Sequence, residues 1–203
     1  IMYYSNPFID DHRDTEVDYY NYYSFPNMFS DEEIEFIKQW GEINEQLPGE
    51  LGDSDELSID ENIRTSTISW IEYKEGTDWI YNRLAECALT ANKEMKWNLD
   101  LSGFGDEIQY TKYYGTNKGH YDWHGDIGPG VPHRKLSIVV QLSDEKDYEG
   151  GLLQLSRGSH LIDGPKDKGT VILFPSFVLH RVLPITEGER RSLVSWISGP
   201  RWK

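Results

Sequence analysis

Residues 134–198 read RKLSIVVQLSDEKDYEGGLLQLSRGSHLIDGPKDKGTVILFPSFVLHRVLPITEGERRSLVSWIS. Short β-rich runs follow one another here, parted by turn sequences such as SDEKDYEGG, FPS and TEGE, and no helical period interrupts them. Strands are expected at 134–143, 151–156, 169–175, 178–185 and 190–198. Just upstream, 107–114 and 120–124 read the same way. Consecutive strands with short connections pair antiparallel, so the class is mainly β: a sandwich or barrel with helices outside.

The front half supplies the helices. YYSFPNMFS (22–30) reads as a short strand and a turn. Ser30 then opens a helix, with Glu33 completing a capping box and Ile34, Ile37 and Trp40 forming an apolar stripe. Residues 41–62 turn acidic and carry Pro48, Gly49 and Gly52, so a surface loop is expected there, with a lid as the functional alternative. RTSTISWIEY (64–73) reads as one strand. A second helix is expected over 77–97, where Ile80, Leu84, Cys87, Ala88, Ala91 and Met95 recur at helical spacing. Those apolar residues read as core.

Composition removes several function classes. The 203 residues suffice for one domain, and seven Trp and thirteen Tyr can bury large areas. A formal net charge of −15 disfavours nucleic acid and anionic lipid as partners. The single cysteine, Cys87, excludes an internal disulfide and a cysteine metal cage. Together with the lack of a signal-like or membrane-spanning apolar run, it points to a reducing, cytoplasmic setting. The composition is silent on oligomeric state.

Six histidines are present, four of them beside turns in the β region. A lone histidine in such a domain is ordinarily a hydrogen-bonded structural residue. HYDWHGD (120–126) is different, because it places a His and an Asp two apart twice: His120/Asp122 and His124/Asp126. Alternate residues of an extended segment face one side, so either pair can offer an imidazole and a carboxylate to one metal. His180, at the start of a later strand, offers the third ligand. Two His and one carboxylate make a facial triad that leaves positions open on iron. Arg190 follows ten residues on, beyond TEGE, a spacing that fits a hairpin carrying both side chains. A guanidinium there suits the far carboxylate of a small chelating acid.

Residues 107–202 resemble the iron(II)/2-oxoglutarate dioxygenase superfamily, and within it the prolyl 4-hydroxylase-like branch that includes PKHD-type hydroxylases. The matching pieces are YDWHGD, RKLSIVVQLS with YEGGLLQL, GTVILFPS, and HRVLPITEGERRSLVSWISGP. The resemblance implies a double-stranded β-helix, a jelly-roll or cupin-like fold, with the two helices packed on one sheet. It implies one domain over 1–203, with 1–106 as support and 107–202 as the catalytic β core. By position it makes His124, Asp126 and His180 the Fe(II) ligands and Arg190 the partner of the 2-oxoglutarate distal carboxylate. Ser192 and Tyr113 join that cosubstrate site, with Tyr114 and Arg191 as rivals for Tyr113 and Arg190. Tyr121 and Trp123 stand near the metal as core or substrate contacts. The implied reaction uses 2-oxoglutarate and O2, with ascorbate as a possible reductant. It hydroxylates a C–H bond, of a prolyl residue in a peptide or protein or else of a small molecule, and releases succinate and CO2.

Two other classes are compatible with a jelly-roll: a non-catalytic binding protein and a metal enzyme that needs no 2-oxoglutarate. Neither has a use for three ligands together with Arg190 and Ser192.

Overall fold

The computed structural model describes residues 17–49 and 60–202. In chain order its elements begin with β1 (Tyr23–Phe25), α1 (Asp31–Ile43), β2 (Leu47–Pro48), β3 (Arg64–Thr65), β4 (Thr67–Ile71), α2 (Asp78–Glu94), β5 (Gly103–Phe104) and β6 (Ile108–Tyr114). The second half adds β7 (His120–His124), β8 (Arg134–Gln141), β9 (Tyr148–Gly150), β10 (Leu153–Arg157), β11 (His160–Asp163), β12 (Val171–Pro175), β13 (His180–Val182) and β14 (Ile185–Ser198).

Among the described residues the strands form two antiparallel sheets. The larger has nine strands and follows β1-β12-β8-β14-β6-β4-β2, with β5 and β9 also pairing β14. The smaller has five, in the order β11-β10-β13-β7-β3. Both helices cover one face of the large sheet, where Ile34, Ile37, Ile80 and Leu84 join Ile138, Val140 and Leu193 in one core. The other face looks toward the small sheet across Val139, Phe174, Leu155 and Val182. Strands covered on both faces read as unbroken apolar runs, which is why VILFP lacks polar alternation. This is the jelly-roll architecture with two flanking helices.

Helix α1 starts where its chemistry dictates. Ser30 Oγ accepts from the Glu33 amide at 3.3 Å, and Glu33 accepts from the Ser30 amide at 2.9 Å. Arg83 of α2 then grips the same Glu33 at 2.7 and 2.8 Å, tying the helices together. Ser30→Ala is expected to cost about 1 kcal/mol of stability, read as a lower denaturant midpoint with an unchanged slope. Cys87 is buried in α2, and burial pushes its thiol up to about 11, so it is inert core. No helix among the described residues is long and apolar enough to cross a membrane.

Four local expectations need correction. The 41–62 loop begins later than expected, because α1 runs through Gly41 to Ile43. A Cβ at Gly41 would fall 2.4 Å from Tyr110 Cγ, so glycine is what lets the helix lie on the sheet. Residues 47–48 then form β2, while 50–59 lie outside the described residues and leave the lid idea without a structural account. The run 64–73 is two strands, since β3 pairs β7 of the small sheet and β4 pairs β6 of the large one. The stretch between the strands expected at 151–156 and 169–175 holds a further strand, β11, which begins at His160. The expected His180–Arg190 hairpin is absent: β13 and β14 belong to different sheets. β14 begins at Ile185, pairs first with β9 and then with β6 and β8, and absorbs TEGE.

Candidate active site

The crossover after β13 places His180 and Arg190 on facing sheets, and a cavity of about 430 Å3 opens between them. Its walls include His124, Asp126 and His180 at one place and Tyr113, Arg190 and Ser192 at another.

The three candidate metal ligands converge. Their ligand atoms all lie within 4.8 Å of one another. His124 Nε2 is 3.8 Å from Asp126 Oδ1, and His180 Nε2 is 3.5 Å from Asp126 Oδ2. Each ring is oriented by the backbone: His124 Nδ1 donates to the Asp122 carbonyl at 2.7 Å, and His180 Nδ1 to that of Val178 at 3.0 Å. With Nδ1 committed as a donor, each Nε2 keeps its lone pair free for a metal. Burial and the neighbouring His180 hold the His124 pKa well below the usual imidazole range, so its ring is neutral. For Asp126, burial works against the charge, but the two imidazoles and the hydrogen bond from Ser137 outweigh it and hold the carboxyl below its usual range. Two imidazole nitrogens and one carboxylate on one side of a site are the donor set of a non-haem Fe(II) centre. The residues therefore fit that metal.

A bulge separates the two His-x-Asp pairs. Val182 of β13 stands opposite Tyr121 of β7, yet His180 stands opposite His124, so one extra residue is inserted in β7. The parity of the strand changes across it. His120 turns away, its ring nitrogens 3.0 Å from the Lys118 carbonyl and 3.2 Å from that of Asn62. Asp122 is exposed. Tyr121 and His124 share a side, and their rings stack at 3.4 Å and 11°. Trp123 faces outward beneath Arg181, whose guanidinium is 4.5 Å from its ring. Arg181 also donates twice to Gln154 at 2.8 and 3.0 Å, so it packs on the outer face of the small sheet rather than extending into solvent.

The cosubstrate candidates lie on inward-facing positions. Arg190 and Ser192 share the cavity side of β14 with Val194 and Trp196, while Leu193 and Ile197 face the helices. Arg190 is 1 % exposed, and Gln141 Oε1 accepts from its Nη2 at 2.9 Å. Its guanidinium lies 5.6 Å from the Tyr113 ring. No carboxylate among the described residues pairs with it, and Arg190 Nε and Ser192 Oγ are buried without a hydrogen-bond partner. Orphaned donors beside an unpaired cation fit the far carboxylate of an oxo acid. Gly151 makes room there: at φ +60°, a Cβ would meet Arg190 Cδ at 3.1 Å and Ile185 Cδ1 at 2.1 Å. Tyr113 is buried on the cavity wall, whereas Tyr114 is not part of it. Arg191 faces outward to Glu189 at 2.6 Å.

Sequence reasoning missed four residues: Ser137 and Gln141, which hold cavity residues from behind, and Arg64 and Trp196, which line the cavity. Ser137 donates to Asp126 Oδ2 at 2.5 Å, and Gln141 holds Arg190 while donating to the Pro165 carbonyl at 2.8 Å. Their signal was a polar residue recurring within the apolar run RKLSIVVQL, since a buried polar group needs a reason. Arg64 and Trp196 also line the cavity, with Arg134 stacked 3.7 Å from the Trp196 ring and paired to Asp106 at 2.9 Å. Ser137→Ala removes the hydrogen bond that aims Asp126. Metal affinity is expected to fall by roughly 10- to 100-fold, measured by titration with Co(II) while circular dichroism reports an intact fold.

Residues 108–198 match the 2OG-Fe(II) oxygenase superfamily. The chain is 41 % identical over 84 residues to a PKHD-type hydroxylase of Alteromonas mediterranea, covering 38 % of this chain and 37 % of that protein. It is 48 % identical over 81 residues to a PKHD-type hydroxylase of Synechococcus sp. (strain CC9902), covering 38 % and 35 %. The matched region thus spans little more than a third of these curated relatives. In overall structure the chain is similar to a Pseudomonas putida prolyl-4-hydroxylase, with TM-score 0.67 at 22 % identity over 88 % of this chain and 92 % of that one. It is also similar to a Trichoplax adhaerens prolyl hydroxylase solved with a hypoxia inducible factor peptide fragment, with TM-score 0.70 at 18 % identity over 91 % and 86 %.

Proposed function

We propose that the chain is an Fe(II)- and 2-oxoglutarate-dependent dioxygenase that hydroxylates a prolyl residue in a peptide or protein, a reading supported by the match of residues 108–198 to the 2OG-Fe(II) oxygenase superfamily. One observation carries the reading. A buried, carboxylate-free Arg190 shares a single cavity with three converging metal ligands. Metal alone does not call for that arginine; a chelating dicarboxylate does.

When bound, Fe(II) with 2-oxoglutarate and O2 supplies the oxidising power for C–H hydroxylation, with release of succinate and CO2. The chain's own residues do the placing. His124 and His180 would offer imidazole nitrogens and Asp126 one negative charge to the metal, a donor set that would leave room for the oxo acid and O2. The Arg190 fork and Ser192 Oγ anchor the far carboxylate, and Tyr113 closes that end of the pocket. Val139, Leu153 and Val182 line the cavity with apolar surface that limits water near the metal. The work is orientation, charge and exclusion of solvent, as in cofactor enzymes generally.

The substrate class rests on likeness. The relatives are PKHD-type hydroxylases, and a prolyl hydroxylase of the same fold has been solved with a peptide fragment. The net charge of −15 argues against a nucleic acid. Incubation with Fe(II), 2-oxoglutarate and a panel of proline-containing peptides is expected to add one oxygen atom to proline and release matching succinate. Succinate release with free amino acids but no peptide would overturn the peptide assignment.

A further inference from the structure

We infer that Arg64 is a positioning residue for the metal centre, acting on His124 through the ring of Tyr121. The inference rests on His124 being a metal ligand, as proposed above.

Two contacts link the Arg64, Tyr121 and His124 side chains in that order beside the site. The His124 and Tyr121 rings lie 3.4 Å apart and 11° from parallel. The Arg64 guanidinium carbon is 4.7 Å from the centroid of the Tyr121 ring. Arg64 and Tyr121 are also directly opposed across the β3–β7 ladder. The order arises from two irregularities already described. The β7 bulge brings Tyr121 and His124 onto one side, and the break between β3 and β4 at Ser66 puts Arg64 on the small sheet while its tip reaches the large one.

Arg64 is itself well held. It is 7 % exposed. Its Nε donates to Ser66 Oγ at 2.8 Å and its Nη2 to Gln109 Oε1 at 2.9 Å. Gln109 lies on β6 of the large sheet and accepts from Thr111 Oγ1 at 3.2 Å as well. The guanidinium is therefore fixed with respect to both sheets.

The stack addresses a freedom that the hydrogen bond leaves open. The bond from Nδ1 to the Asp122 carbonyl fixes one edge of the His124 ring. The ring can still tilt about that edge and swing Nε2 away from Asp126 and His180. Tyr121 covers one face, while His180 stands on the inner side at 4.1 Å and 54°. A cation over an aromatic face is a favourable contact that would help to hold the Tyr121 ring in place. Holding a ligand in its bound orientation before the metal arrives spares the cost of ordering it on binding.

The test uses Co(II) as a spectroscopic probe on the purified chain without 2-oxoglutarate. Arg64→Met is expected to weaken Co(II) binding roughly tenfold, within the range for residues that orient ligands, and to alter the visible d–d bands. Arg64→Lys, which keeps a cation above the ring, is expected to restore most of the affinity and the wild-type band shape. A merely structural role would lower Tm in both variants and leave the bands of the folded fraction unchanged. Folded Arg64→Met with wild-type affinity and bands would overturn the inference. If Arg64→Met does not fold, Tyr121→Leu makes the same demand, and unchanged Co(II) binding in that variant would be equally fatal. Wild-type protein that binds no Co(II) would overturn the metal reading itself, and this inference with it.

Discussion

His180→Ala is expected to weaken Fe(II) binding by more than about 100-fold, the upper end of what the loss of a merely supporting residue costs. Succinate formation should fall with it. His180 is 5 % exposed, and its Nε2 faces Asp126 at 3.5 Å. Its ring packs edge-on to Phe174 at 4.7 Å, on β12 of the large sheet. Alanine leaves His124 and Asp126 alone, too few donors to compete with water for the metal. The backbone consequences are smaller, because β13 keeps its ladders to both β7 and β10. Anaerobic metal titration reads the loss, and far-UV circular dichroism verifies the fold. Free imidazole, which can occupy the vacated space, is expected to restore part of the binding. Undiminished Fe(II) affinity in a folded His180→Ala protein would remove His180 from the metal site.

The second large effect is expected at Arg190. Replacing it with methionine keeps much of the volume and removes the charge. Truncating one partner of a buried, hydrogen-bonded charge pair costs about 2–5 kcal/mol, so 2-oxoglutarate affinity should drop from roughly 30-fold to several-thousand-fold. Metal affinity should hold, since none of the three ligands touches Arg190. That separation matters: His180→Ala loses the metal, whereas Arg190→Met keeps the metal and loses the oxo acid. The ligand-free Tm should change little, because the variant sheds a desolvated cation but leaves Gln141 Oε1 without its donor. 2-Oxoglutarate is expected to raise the Tm of the wild type and to leave that of the variant unchanged. Wild-type 2-oxoglutarate affinity in the variant would show that Arg190 serves some other purpose.

Much of the β region was legible because its physics is local. Ile108–Tyr114, His120–His124 and Val171–Pro175 lie within the spans that apolar runs and turn residues mark out. The capping box at Ser30 likewise needs only four residues of context. What escaped the reading depends on pairing between distant segments. The break at Ser66 follows from β3 and β4 finding different partners 40 to 60 residues away, for instance Arg64 with Tyr121 and Thr67 with Lys112. The path from His180 to Arg190 has hairpin spacing, yet Leu183 and Pro184 carry the chain from one sheet to the other. Ten residues span either arrangement, so spacing cannot decide between them.

The candidate site divides along the same line. Alternation alone left His120/Asp122 and His124/Asp126 equivalent, and the bulge that separates them is defined only by how β13 docks on β7. Ser192 and Arg190 share a face by simple parity, and the cavity wall holds both. Gln141 and Ser137 were visible as polar interruptions in an apolar strand, but their partners, Arg190 and Asp126, lie 49 and 11 residues away. Arg64 had no local signal at all: its role arises from Tyr121, Ser66 and Gln109 together.

His124, Asp126, His180 and Arg190 are proposed to form one site for Fe(II) and 2-oxoglutarate. Its most direct test is anaerobic addition of both to the purified chain, with visible absorption recorded as 2-oxoglutarate is titrated. A weak metal-to-ligand charge-transfer band is expected, one that saturates with one 2-oxoglutarate per metal and is lost in His180→Ala. A folded wild-type chain that binds Fe(II) yet gives no band at any 2-oxoglutarate concentration would contradict it.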